Sequence, residues 1–354
     1  MSRHDIYYWK CDRPAAFHGT HTRGVPDVQI AQQLRESLKH HFAATDIELS
    51  AGSGQGNHLT WNANVDGIPM FIRVENGPEK DGHLAIESAI IDQVRGTGVP
   101  TPRVHGCDAT RSRVPFAWQA LERIGAPDLN HWFKQGTLDV PSIAFEIGAA
   151  VATWQSLSFV GFGPFDDSLK GYHHAYADYF HLRLEEHLTF LMDRGFLTTA
   201  QRQDISSEVE NHRALLDLEA GCFVHKDLAL WNILGSESRI AAFIDFDDSI
   251  CGDSMDDLSL LACFHDGDFL RRAFEGYQSV RPLPADHLRR LWLHLLRNMI
   301  VKSVIRVGAG YFDRDDGFFL IGSGSSGSSL REMTLSRLAL ALNGLRNEHS
   351  IDVL

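Results

Sequence analysis

One stretch constrains this chain more than any other: between Cys222 and Phe246 two short apolar runs flank a polar loop. The runs are Cys222-Phe-Val224 and Ala241-Ala-Phe-Ile244. Apolar runs this short predict buried strands, each ending in a polar group. The loop holds His225-x-Asp227, with Asn232 five residues after Asp227 and Asp245 thirteen after Asn232. Phosphoryl transfer to a hydroxyl needs positioning and charge neutralisation more than covalent help. Asp227 suits the task of accepting the hydroxyl proton. Asn232 and Asp245 offer hard oxygens to a Mg²⁺ held between nucleotide phosphates. His225 is expected to brace the loop through its backbone rather than to react.

The surroundings divide at Gly125-Ala-Pro127, read as a hinge. Beyond it the hydrophobic period is mostly 3.6, predicting helices at Ser142–Leu157, Ala175–Arg194, Thr199–Leu218, Asp286–Val307 and Leu330–Leu345. Gly322 to Ser329 reads as a low-complexity flexible loop. Before the hinge, Ile30, Leu34 and Leu38 mark a helix that starts near Asp27. A polar glycine-rich stretch, Ser50 to Asn57, precedes runs at His58–Val65 and Ile68–Val74 joined by Asp66-Gly67. Such a pair predicts a hairpin, because both central turn residues need positive φ. A helix over Gly82–Arg95, stopped by Gly98-Val-Pro-Thr-Pro102, and a strand within Val114–Ile124 complete a small α+β lobe. The organisation expected is an N-terminal extension over 1–25, a nucleotide-binding lobe over 26–124 and a catalytic, substrate-binding helical lobe over 125–354. The extension shows no periodicity and reads as a leader that packs on or stays mobile.

Composition narrows the partners. The 354 residues carry a formal net charge of −13, which disfavours nucleic acid and anionic membranes. At 44% hydrophobic and 22% charged residues, disordered, collagenous and coiled-coil classes are excluded. Five scattered cysteines without a C-x-x-C pair fit a reducing compartment, and Met1–Lys10 lacks the apolar core of a signal peptide. No stretch reads as a transmembrane segment, so the expectation is a cytoplasmic protein with no obligate protein partner.

The loop resembles that of the aminoglycoside phosphotransferase and choline kinase-like family of small-molecule kinases. That family's usual loop reads His-Gly-Asp-Leu-His-x-x-Asn; here it is His225-Lys226-Asp227-Leu228-Ala229-Leu230-Trp231-Asn232. Downstream, Gly252-Asp253-Ser254-Met255-Asp256-Asp257-Leu258 is similar to its Gly-Asp-Pro-x-x-Asp-Leu signature, with Ser254 in place of proline. The likeness runs from about Ile47 to Leu261. It implies an α+β, bilobal protein-kinase-like fold: a small N-terminal antiparallel β-sheet lobe with one or two helices, and a larger, mainly helical C-terminal lobe. It further implies ATP as phosphate donor, Mg²⁺ as cofactor, and structural duties for His225, Asp253 and Asp257. Gly52, Gly54 and Gly56 would let backbone approach the phosphates. The family's cationic phosphate ligand falls at Arg73, where protein kinases use Lys, with Glu87 as its partner. The strand Gln119–Arg123, including Glu122, would pair its backbone with the nucleobase.

Acceptor specificity is expected in Gly161–Arg194 and in the acidic stretch after Asp245, with Asp247, Asp248 and Trp231 as candidate contacts. Six aspartates lie between Asp245 and Asp257 with no Lys or Arg, which favours a cationic acceptor such as an aminoglycoside, amino sugar or amino alcohol. The rival is a kinase-like module that binds nucleotide or metabolite with weak or no turnover, for which Arg73 in place of Lys is the best support. Asp245-x-Asp247 mimics a haloacid-dehalogenase-like phosphatase motif. Its would-be metal motif follows too closely for the strand crossover that fold needs. A protein kinase would show Asp-Phe-Gly and Ala-Pro-Glu, and this chain has neither. The 19 histidines show no zinc-ligand spacing.

Overall fold

The Asp66-Gly67 pair turns the chain as its residue types demand, with φ of +47° and +86°. Val65 is thereby set opposite Ile68, and the register runs back to Leu59 opposite Val74. This computed structural model describes residues 3–13, 28–52, 58–314 and 327–354. Strands β1 (Ile47–Ala51), β2 (Leu59–Val65), β3 (Ile68–Glu75), β4 (Val104–Asp108) and β5 (Ala117–Glu122) form an antiparallel sheet in the order β1-β2-β3-β5-β4. Helix α1 (Trp9–Asp12) belongs to the N-terminal segment and packs against the helical part of the chain beyond the hinge. Helices α2 (Val28–Phe42) and α3 (His83–Gly96) cover the sheet's two faces. Successive side chains of β5 show this: Trp118 donates to Ser37 of α2, and Gln119 donates to Ser88 of α3.

Beyond the hinge the chain is mainly helical. Helices α4 (Leu129–Gln135), α5 (Val140–Trp154), α6 (Tyr176–His181), α7 (Leu184–Asp193) and α8 (Thr199–Asn211) come first. Helices α9 (Asp256–Ala262), α10 (Gly267–Gln278), α11 (His287–Gly308) and α12 (Gly327–Asn347) follow. Short strands are threaded among them: β6 (Ser158–Phe159), β7 (Phe162–Phe165), β8 (Gly171–His173), β9 (Gly221–Val224), β10 (Ile233–Ser236), β11 (Arg239–Phe243) and β12 (Ile250–Gly252). The central helix is α11, buried on every side from Leu291 to Arg306. Among the described residues, no helix is long and apolar enough to cross a membrane.

Several elements differ from the sequence reading. The helix expected over Ala175–Arg194 is broken, because Arg183 adopts φ +59° between α6 and α7. Helix α12 begins at Gly327, inside the stretch read as a flexible loop; residues 322–326 lie outside the described ones. Helix α10 is not among the helices expected from the sequence, and Gly276 near its end lowers its propensity. Packing explains that glycine. A Cβ at Gly276 would lie 1.9 Å from the Phe145 carbonyl oxygen, and one at Gly148 would lie 1.8 Å from that of Ala273. Helices α5 and α10 thus meet backbone to backbone.

Gly276→Ala is expected to lower unfolding stability by about 1–3 kcal/mol, the usual cost of overpacking. Urea denaturation checks this, and an unchanged midpoint would refute the close crossing.

Candidate active site

Asp257, in the first turn of α9, organises the loop that follows β9. Its carboxylate accepts the backbone N–H groups of His225 and Lys226, each at 3.0 Å, and Trp154 Nε1 at 3.2 Å. The His225 ring then joins the loop to the strand behind it. Its Nε2 donates to the Ile244 carbonyl at 3.0 Å, and its Nδ1 accepts from the Asp227 N–H at 3.3 Å. Both ring nitrogens are committed, which selects one neutral tautomer, and burial pushes the imidazole down to about 4. His225 therefore braces the loop with its side chain as well as its backbone. In nitrogen-15 NMR, its ring is expected to stay neutral and Nε2-protonated from pH 8 to about pH 5. A midpoint near the ordinary histidine value would contradict the bracing.

The three residues picked out by spacing converge. Asn232 Nδ2 donates to the Asp227 carbonyl at 2.8 Å and to Asp227 Oδ2 at 3.0 Å. Its own Oδ1 takes no hydrogen bond among the described residues. Asp245 adopts φ +66°, a strained conformation for a residue with a Cβ, and its side chain is 44% exposed. One of its carboxylate oxygens accepts from Arg73 at 3.0 Å, which leaves the other open. Two hard oxygens without hydrogen-bond partners among the described residues therefore stand beside the Asp227 loop, a donor set that fits Mg²⁺.

Arg73, on β3, bonds through separate guanidinium nitrogens to Glu87 of α3 and to Asp245. Its NH2 also contacts His58 Nδ1 at 3.0 Å. Glu87 Oε1 in turn accepts the Phe246 N–H at 3.1 Å, so this carboxylate spans the two lobes. Glu87 Oε2 is buried without a hydrogen-bond partner among the described residues. Burial pushes Glu87 up to about 7 against the pull of Arg73, while Glu87 and Asp245 hold Arg73 charged despite its burial. Gly52 N–H closes the β1–β2 end on the Thr60 carbonyl; Gly54 and Gly56 lie outside the described residues. The Glu122 N–H donates to the Arg103 carbonyl, and its side chain accepts the Arg103 N–H. The Glu122 N–H is therefore already taken within the sheet.

The acidic stretch reads differently in three dimensions. Burial would raise Asp253, but His294 and Arg290 hold it down to about 2. Asp256 bonds Lys226 Nζ at 2.6 Å, Asp257 holds backbone N–H groups, and Asp247 bonds Arg3. Asp248 is the remainder, and burial with the nearby Asp247 and Asp227 pushes it up to about 8. Most of the excess charge in this stretch is neutralised by the protein itself, so it does not form the negative cleft expected for a cationic acceptor. Trp231 is half-buried and packs edge-on against Phe264, with ring centres 4.9 Å apart.

Sequence reasoning missed Lys226, Lys302 and the N-terminal segment. Lys226 stands where the family pattern has glycine and adopts φ +67°, the left-handed conformation that glycine supplies without strain. It is fully buried, and its ammonium reaches Asp256, Asn298 Oδ1 at 3.2 Å and the Tyr7 hydroxyl at 3.2 Å. A signal for its partners was present on α11. His294, Asn298 and Lys302 recur every four residues on this helix, and so share one face. That face meets Asp253 at 3.2 Å, Asp256 at 2.8 Å and Asp227 at 3.2 Å in turn. No comparable pattern marks the N-terminal segment. There Arg3 bonds Asp81 of the N-terminal lobe and Asp247 across the hinge, and its guanidinium stacks 3.8 Å from the Trp9 ring. Tyr8 donates to Asp227 Oδ1 at 2.9 Å. Cys11, Asp12 and His187 also cluster, but Arg297 donates to His187 Nδ1 while Nε2 contacts Asp12 at 2.7 Å. That closed hydrogen-bond chain leaves the ring no lone pair for a metal.

Lys226→Met keeps the stem and strands Asp256 in the interior. Guanidinium denaturation is expected to show a loss of about 3–5 kcal/mol, the range for breaking a buried ion pair; a loss below about 1 kcal/mol would mean the network is dispensable.

The phosphotransferase enzyme family pattern matches residues 49–292. No curated protein matches the chain by sequence. Among solved structures, the aminoglycoside phosphotransferase APH(4)-Ia is similar at TM-score 0.61 and 15% identity, covering 88% of this chain and 98% of its own. A thermostable mutant of that protein has been crystallised with ADP and hygromycin B. An aminoglycoside phosphotransferase candidate from Ralstonia eutropha matches at TM-score 0.62 and 16% identity, covering 89% of this chain and 97% of that one. A fructosamine-3-kinase candidate from Haemophilus somnus matches at TM-score 0.57 and 14% identity, covering 88% and 97%.

Proposed function

Because the chain belongs to the phosphotransferase enzyme family, we propose that it transfers the γ-phosphate of ATP to a hydroxyl of a small, amine-bearing molecule. The observation that carries this reading is the convergence of Asp227, Asn232 and Asp245 at one end of the interlobe contact made by Arg73 and Glu87. Asn232 Oδ1 and the open oxygen of Asp245 would hold Mg²⁺, which when bound neutralises charge on the nucleotide phosphates. Asp227 accepts the proton of the acceptor hydroxyl as it attacks, and Asn232 and Lys302 orient that carboxylate. Arg73, joined to Glu87, stands ready for a nucleotide phosphate. The amine on the acceptor is drawn from the aminoglycoside substrates of structural neighbours rather than from the acidic stretch. All five cysteines are free, which fits a cytoplasmic setting.

A panel of aminoglycosides, amino sugars and amino alcohols, read by ADP release and product mass, tests the assignment. Asp227→Asn is expected to preserve ATP affinity and to cut turnover by about 10² or more. Near wild-type turnover in that variant would remove Asp227 from the reaction. ATP binding without turnover on any acceptor would favour the rival, a nucleotide-binding module.

A further inference from the structure

The N-terminal segment reaches the reacting carboxylate itself. The Tyr8 hydroxyl donates to Asp227 Oδ1 at 2.9 Å, Lys302 Nζ shares that oxygen at 3.2 Å, and Asn232 holds Oδ2. Tyr8 is 5% exposed, whereas the Asp227 side chain is 19% exposed and open to water. The neighbours of Tyr8 are pinned. The Tyr7 ring lies 4.8 Å from that of Tyr179 and 3.6 Å from the Arg297 guanidinium, and the Tyr7 carbonyl accepts from the Tyr179 hydroxyl. Trp9 is buried under Arg3. Burial of three aromatic side chains in a row, Tyr7, Tyr8 and Trp9, holds this stretch of backbone. A movable plug would give up all three burials, whereas a swing of the Tyr8 ring between its two anchored neighbours gives up only its own.

We infer that Tyr8 selects acceptor over water: its hydroxyl occupies the position at Asp227 where an acceptor hydroxyl must arrive, and withholds that position from solvent until it does. The inference rests on Asp227 acting as proposed above. Its chemical content is the side reaction it suppresses. A water at Asp227 would attack the γ-phosphorus, forming one P–O bond while the bond to the β,γ-bridging oxygen breaks. The water's proton would pass to Asp227, and ADP and inorganic phosphate would leave. With Tyr8 in place the Asp227 oxygen facing that position is already hydrogen-bonded, and no water fits between.

Tyr8→Phe vacates one oxygen-sized position beside Asp227 and Lys302, polar enough to take a water. The experiment uses the full chain with Mg-ATP and no acceptor, and measures ADP release and melting temperature for wild type, Tyr8→Phe, Asp227→Asn and the double variant. Tyr8→Phe is expected to raise acceptor-free ADP release about tenfold, and the double variant to lose that gain. Lost packing alone lowers turnover together with stability, so an increase reports an unmasked base. Tyr8→Met carries the same expectation should the Phe variant fold poorly. Release at or below the wild-type rate in both variants overturns the inference, as does a phosphate found on Tyr8 by mass analysis, since Tyr8 would then be an acceptor itself. If Asp227→Asn matches wild type across the acceptor panel described above, the Asp227 reading has failed; if only the Tyr8 variants depart from expectation, the role of Tyr8 alone has failed.

Discussion

A fully buried ammonium is the constraint around which this site is arranged. Lys226 has no contact with water, and an unpaired charge in that position would cost several kcal/mol. Its neutralisation draws in one group from each of three places: Asp256 from α9, Asn298 from α11 and Tyr7 from the N-terminal segment. Burial alone would lower the lysine's proton affinity, yet Asp256 and Tyr7 keep it raised. The loop bearing Asp227 is thereby fastened to three elements through the Lys226 side chain, while Asp257 fastens it through backbone N–H groups. A glycine at this position would ease the backbone but supply none of those contacts.

The consequence is a site built from two halves that meet through polar side chains. Below, Asp227 and Asn232 are held on the helical lobe. Above, Arg73 and Glu87 belong to the sheet lobe, and their bonds to Asp245 and to the Phe246 N–H join the halves. Arg3 adds a second bridge, from Asp81 on one side to Asp247 on the other. Burial works against Asp247, but Arg3 and His83 hold it well below the usual carboxylate range. The N-terminal segment thus packs into the site, where Tyr8 and Lys302 meet beside Asp227 and Lys302 lies near Phe264, which packs on Trp231.

Local rules made much of this legible. Asp66-Gly67 specified its hairpin because only certain residues accept positive φ at both turn positions. The loop spacing marked Asp227, Asn232 and Asp245 because a metal-assisted transfer needs those oxygens close together, and short apolar runs deliver them from strand ends. Strands β1 and β4 escaped notice because both are edge strands, incompletely buried, with little apolar alternation to read. Helix α10 escaped because the glycine that weakens its propensity is required by a backbone approach from α5, 128 residues earlier at Gly148.

What the sequence determined by itself was the family's loop, the order of lobes and the chemistry available at three oxygens, since these follow from residue type, spacing and backbone period. Where each charge finds its partner was decided only in three dimensions. The aspartates after Asp245 look like an electronegative cleft in the sequence, yet Arg3, Arg73, Lys226, Arg290 and His294 meet most of them in the fold. Those partners lie tens to hundreds of residues away, and a Coulomb interaction depends on distance in space rather than along the chain. Tyr8 follows the same logic: 219 residues separate it from Asp227, and only tertiary packing brings its hydroxyl onto that carboxylate.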